Sequence, residues 1–209
     1  MAASTWFERM WQGLVLEARS LACERGGRLI FEDLNFTVKS GEAVELRGPN
    51  GAGKSSLLRL LAGLNPPSSG SVAYSVPNTG LNEASHYIGH LEAIKPALSV
   101  RENLAFWARF FGGDSTGALA VFKLEALADD PASLLSEGQR RRLALSRLVA
   151  APRPVWLLDE PTVGLDVTAL EDLRSVMQLH LDRGGLILAA THQPLGLKRV
   201  ATLNLMAGA

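Results

Sequence analysis

One segment constrains this chain more than any other. Gly48-Pro49-Asn50-Gly51-Ala52-Gly53-Lys54-Ser55 fits the pattern G-x-x-x-x-G-K-[ST], and Ser56 follows it. Before it, Val44 to Arg47 reads as a short strand; after it, Lys54 to Leu61 reads as a helix. Glycine opens backbone conformations closed to other residues, so successive N–H groups can turn toward one anion. The helix N-terminus adds its dipole and its unpaired donors. In such a cradle Lys54 reaches the outer phosphates of a nucleotide and Ser55 offers its hydroxyl to Mg²⁺.

Two later segments share that chemistry. Val155 to Leu158 is a continuous apolar run, as expected of a parallel strand buried on both faces. Ligands of such sheets sit at the carboxyl ends of the strands, where Asp159 and Glu160 stand. Asp159 suits a role beside Mg²⁺, and Glu160 suits the base that orients or deprotonates an attacking water. Leu135-Ser136-Glu137-Gly138-Gln139 precedes a helix-like stretch, Arg140 to Ala150. Ser136 is a natural N-cap, and a capped helix alone would explain it. Gly138 also leaves room and donors for an anion. Arg140, Arg141 and Arg142 sit in the first turn, where positive charge opposes the helix dipole; they imply either a negative neighbour or a solvated face.

With these motifs the chain resembles the nucleotide-binding subunits of ABC transporters from about Leu14 to Leu197. Gly164-Leu165-Asp166 is similar to that family's D-loop. His192, just past the apolar strand Leu186 to Ala190, is similar to its switch histidine. Within the family the likeness is to the heme exporter ATP-binding subunits of cytochrome c maturation. It is carried by Leu16 to Arg25, Ile88-Gly89-His90, Ile94 to Leu98, Gln139 to Leu148, Trp156 to Pro161 and Thr191 to Leu195. The resemblance implies an α/β fold of the P-loop NTPase, ABC type: a mostly parallel core sheet, an N-terminal antiparallel β part and a helical subdomain at about 90–150. It implies ATP and Mg²⁺, with Ser55 and Asp159 at the metal and Glu160 and His192 in catalysis. It implies a second nucleotide-binding subunit, as a homodimer, whose Ser136-to-Gln139 turn covers the nucleotide. It also implies integral membrane subunits of a cytochrome c maturation complex, and a peripheral place on the cytoplasmic face of the inner membrane. Another small-substrate ABC exporter, or a nucleotide-binding module with little hydrolysis, would carry the same motifs.

Three positions depart from the family. His90, with Leu91 beside it, falls where a metal-sensing glutamine is usual; an imidazole can also hold a water or the metal. Arg25 stands at or near the place of an aromatic residue that stacks on adenine, and a guanidinium can stack on a base plane too. Glu137 puts a carboxylate in the signature turn, where a small residue is usual.

The 209 residues fit one domain, taken as residues 14–209, with residues 1–13 as an extension. Trp6, Phe7, Met10 and Trp11 would share one helix face, as an interfacial patch or a partner contact; a disordered extension is the other reading. With 21 basic and 21 acidic residues, charge suggests no nucleic-acid partner. The single cysteine, Cys23, excludes an internal disulfide, fits a reducing compartment and reads as a small core residue. No stretch approaches the ~20 apolar residues that span a bilayer.

Elsewhere the pattern predicts antiparallel strands over 14–38 and short strands over 71–76 and 87–89. It predicts helices over 100–111, 116–128 and 170–181, the last closed by Gly184-Gly185. Ile94 to Leu98 is expected on the surface that docks a membrane subunit, stiffened by Pro96.

Overall fold

A computed structural model describes residues 11–76 and 79–206. Trp6, Phe7 and Met10 lie outside the described residues. The chain divides into two compact units. The first runs up to Gly89 and includes Pro154–Pro161 and the chain from Met177 onward; the second comprises His90–Arg153 and Thr162–Val176.

The first unit holds both sheets. Strand β1 (Val15–Arg25) pairs antiparallel with β2 (Arg28–Lys39) and with β4 (Ser69–Tyr74), in the order β2-β1-β4. Gly26 and Gly27, both at positive φ, make the two-residue turn between β1 and β2. The larger sheet is parallel, with the order β5-β6-β7-β3-β8. Its strands are β3 (Ala43–Arg47), β5 (Ser85–Ile88), β6 (Val155–Asp159), β7 (Leu186–Ala190) and β8 (Val200–Asn204). Every residue of β6 and β7 is buried, as their unbroken apolar runs require. Helix α1 (Lys54–Leu61) buries Leu57, Leu58, Leu60 and Leu61 in the same core as Cys23, Phe31, Leu157 and Leu188. A short helix α2 (Leu81–Ala84) leads into β5.

Register decides what this sheet presents. Leu46 pairs with Ala190, and Ala190 pairs with Asp159. The carboxyl ends of β3, β7 and β6 are therefore level, with neighbours about 4.8 Å apart. The residues that follow, Gly48, Thr191 and Glu160, leave the sheet from one edge.

In the second unit, α3 (Val100–Phe111) begins with a capping box between Ser99 and Glu102 and ends at Gly112 in the left-handed region. Helix α5 (Glu137–Ala150) has its own box, Ser136 with Gln139. It therefore begins three residues before Arg140, and the three arginines fall past its first turn. Helix α6 (Val167–Asp182) is longer than the predicted 170–181. The predicted helix over 116–128 is replaced by a short helix α4 (Ala118–Val121) and a 3₁₀ turn, Glu125–Leu127. Lys123 stands between them at φ 55°, a left-handed conformation that no helix can pass through. The apolar spacing is spent instead on burying Leu119, Phe122 and Leu124 from short turns.

Candidate functional site

The phosphate loop is built by three glycines at positive φ: Gly48 (141°), Gly51 (83°) and Gly53 (95°). A side chain at Gly48 would place its Cβ 2.3 Å from the Leu205 carbonyl oxygen. One at Gly53 would meet Ile30 Cγ2 at 2.5 Å and Phe31 Cδ1 at 3.0 Å. Backbone thus packs against backbone and against β2, which leaves no alternative to glycine at either position. Lys54 is buried, and its Nζ donates to the carbonyls of Gly48 (2.8 Å) and Pro49 (3.0 Å). The ammonium is held over its own loop. Ser55 is half-buried and Ser56 buried, while Pro49, Asn50 and Gly51 are exposed and Ala52 packs into the core. No acidic residue occupies the first turn of α1, so that turn itself does not offset the field of the helix N-terminus.

The level strand ends bring the other candidates of this unit alongside. Asp159 is the buried last residue of β6. Burial raises the Tyr87 phenol on neighbouring β5; the Arg59 hydrogen bond opposes that, and the Asp159 charge adds to it. Glu160 has φ 47°, and its amide donates to Ala190 O at 2.9 Å. That hydrogen bond fixes a carboxylate residue in a conformation costing about 1 kcal/mol. Strain of this kind gathers at functional sites. His192 Nε2 lies 3.4 Å from Glu160 Oε1, with the ring more than half exposed. The two candidate catalytic side chains therefore meet directly.

Arg25 is the exposed last residue of β1, opposite Arg28 across the turn. The hairpin meets the loop at Gly53 through Ile30 and Phe31.

His90, Ser136 to Gln139 and Asp166 belong to the second unit. Ser136 caps α5 by accepting from the Gln139 amide, while Gln139 Oε1 accepts from the Ser136 amide. Glu137 is exposed. A Cβ on Gly138 would stand 2.8 Å from the Gly164 carbonyl oxygen, so the signature turn and the Gly164-Leu165-Asp166 loop touch through backbone. Asp166 caps α6 through the Ala169 amide at 2.8 Å. The arginines of α5 do not form a solvated face. Arg140 donates to Leu135 O and lies 3.7 Å from Glu92; Arg142 donates to Phe122 O; Arg141 and Arg147 are buried. Burial foremost pulls Arg147 down to about 10, and it raises Glu92 against the pull of those arginines. His90 is exposed at the start of a segment whose Leu91, Ile94 and Pro96 line a cavity of about 520 Å³ with Ala132, Ser133 and Arg140.

Sequence reasoning missed Glu45 and Arg47, which hold the backbone of the His192 loop. Their signal was present: two charges inside a strand that otherwise reads as buried.

A model of the ABC transporter family matches residues 31–163. The chain is 51% identical to the cytochrome c biogenesis ATP-binding export protein CcmA of Rhodopseudomonas palustris, over 90% of this chain and 94% of that one. It is 53% identical to the protein of the same name from Nitrobacter winogradskyi, over 87% and 94%. Among solved structures, an ATP-binding subunit of an ABC transporter superposes with a TM-score of 0.80 at 25% identity, covering 93% of this chain and 88% of that one. With this fold, this phosphate loop and half its residues shared with near-full-length relatives, the chain belongs to the ABC transporter family, among the cytochrome c biogenesis ATP-binding export proteins.

Proposed function

We propose that the chain is the ATP-hydrolysing subunit of an ABC exporter serving cytochrome c biogenesis, with heme delivery as the process it supports. The reading rests on the export role of its relatives in cytochrome c biogenesis together with one observation: the phosphate loop, Asp159, Glu160 and His192 converge on one sheet edge, with His192 against Glu160. The amides of the loop and Lys54 bind the β- and γ-phosphates. Glu160 orients water toward the γ-phosphate and accepts its proton. His192 holds the Glu160 carboxylate in place and stabilises charge developing on the transferred phosphoryl group. Positioning and electrostatics supply most of the catalysis in such reactions.

The donors suit Mg²⁺. A serine hydroxyl and one carboxylate, Ser55 and Asp159, are hard oxygen ligands of the kind that hold this ion together with substrate phosphates. The described residues show no cluster of three or more His, Cys, Asp or Glu side chains, which this mode of binding does not need. When bound, Mg²⁺ supplies charge neutralisation at the phosphate oxygens.

A second copy of the chain completes the site, presenting Ser136 to Gln139, with Asp166 beside them, to the nucleotide. Arg25 lies against the adenine, and His90 serves as the sensor of the metal. No helix among the described residues is long and apolar enough to cross a membrane. The chain works as a peripheral subunit on the cytoplasmic face, docked on membrane partners through the Ile94-to-Leu98 segment. The test is genetic and biochemical together. In a cell lacking its own ATP-binding export protein, this chain restores c-type cytochromes and Glu160→Gln does not. Restoration by Glu160→Gln would overturn the reading.

A further inference from the structure

We propose that Glu45 and Arg47 are positioning residues for the ATPase reaction, clamping the loop that carries His192. This rests on the role given to His192 and Glu160 above. Residues 45 and 47 lie two apart on β3 and so point to the same side of the sheet. Arg47 Nη2 and Nε donate to Glu45 Oε2 at 2.6 and 3.2 Å. Arg47 Nη1 donates to the His192 carbonyl at 2.6 Å. The other Glu45 oxygen, Oε1, accepts from the Leu195 amide at 2.7 Å. Every atom of the pair that faces the loop is thus spent on backbone, at two points either side of Gln193. Thr191 fixes the stretch between: its Oγ1 donates to Gln193 O at 2.8 Å and accepts from Gln193 N at 3.2 Å.

The arrangement ties the loop backbone at His192 and at Leu195, with the His192 ring meeting Glu160. An ion pair with Glu45 buried and Arg47 half-buried is weak evidence for stability, because desolvation offsets most of its attraction. Valine or leucine would suit a strand buried in a parallel sheet better. What the charges add is geometry, since charge-assisted hydrogen bonds are short and directional. Arg47 is also bonded covalently to Gly48. The first residue of the phosphate loop and the His192 backbone therefore hang on one residue, Gly48 by the peptide bond and His192 by the guanidinium, which fixes the spacing between the loop that binds phosphate and the ring that meets Glu160. A misplacement of about 1 Å in such a site can cost 10²-fold in rate.

The experiment uses the full chain and steady-state ATP hydrolysis. Arg47→Met is expected to lower kcat by about 10- to 100-fold with KM for ATP within about 2-fold, the pattern of an interaction made in the transition state. Arg47→Lys keeps the charge but not the fork and should fall between the two. In a His192→Ala background, Arg47→Met should cost no more than about 2-fold, because both changes act through one ring. Losses that multiply in that background overturn the inference. So does an unchanged kcat with raised KM, which would place Arg47 with the phosphate loop alone. A second measurement needs no turnover. Amide hydrogen exchange at Leu195 should quicken at least 10-fold in the double variant Glu45→Leu/Arg47→Met, which removes the acceptor and leaves no unpaired buried charge; unchanged protection removes the clamp. Normal turnover by His192→Ala and Glu160→Gln would overturn the reading of the site itself. Slow turnover by those two beside a normal Arg47→Met overturns this inference alone.

Discussion

In the proposed reaction, Glu160 concentrates the chemistry of the site in one side chain. It follows the buried end of β6, is held at φ 47° by a hydrogen bond to Ala190, and meets His192 at 3.4 Å. Glu160→Gln keeps the shape and loses the base. It should bind ATP as the wild type does and hydrolyse it about 10²- to 10⁴-fold more slowly, measured as phosphate release under saturating ATP. Turnover within 10-fold of wild type would take the base role from Glu160. The carboxylate's identity was legible in the sequence, because an acidic pair ends an apolar strand behind a phosphate loop. Its left-handed backbone was not. That conformation comes from the level ends of β6 and β7, and register between strands distant in sequence leaves no local mark.

At the scale of elements, the junction between the phosphate loop and α1 is tight. Gly53→Ala forces a Cβ onto Ile30 and Phe31 and keeps a left-handed φ of 95°. Overpacking and strain together predict a loss of about 2–4 kcal/mol, read from the denaturant midpoint. Shortening Ile30 to Ala in the same chain should return part of it. If Gly53→Ala alone is neutral, β2 is free to retreat from the loop. Such elements were largely legible. The helices 54–61 and 100–111 and the strand 186–190 stand where apolar periodicity places them. The stretch 116–128 misled because its apolar spacing suits a helix, while Lys123 turns left-handed and its ammonium pairs with Asp172 at 2.9 Å. Strand β8 lies at the edge of the sheet, exposed along much of its length, and its Val200, Ala201 and Leu203 form no unbroken apolar run that would announce it.

For the whole molecule, two behaviours follow. The first concerns acid. His180 is buried, stacked on Trp156 with centroids 3.8 Å apart, and packed 5.1 Å from Trp11. Burial pushes it down to about 3, with nearby His86 and Arg183 adding to the shift and backbone carbonyls opposing it. The unfolded chain takes up this proton near the ordinary value of 6.5, and the folded chain does not until about 3. The stability linked to His180 is therefore complete above about pH 6.5 and is lost as pH falls toward 3. Between pH 6.5 and 5 its limiting slope is about 1.4 kcal/mol per pH unit. His180→Asn should melt lower at pH 7.5 yet show a flatter pH dependence over that range; parallel curves would clear His180 of the effect. The second behaviour concerns pairing. In the proposed composite site, Lys54→Ala disables the cradle and Ser136→Arg the covering turn. Each should be inactive alone, and a mixture should regain one intact site, measured as ATPase activity against the mixing ratio. Mixtures as silent as the parents would mean that no composite site forms.

The left-handed residue at position 160 has a consequence for descent. Glycine would adopt φ 47° without a Cβ penalty, so Glu160→Gly should abolish turnover while costing the fold little or nothing. The residue best suited to the chemistry is not the residue best suited to the backbone. Glutamate persists there only where selection for hydrolysis outweighs a standing bias toward glycine. A lineage released from hydrolysis should drift at this position before its core does, and the residue found at 160 in a relative becomes a record of whether that relative still works.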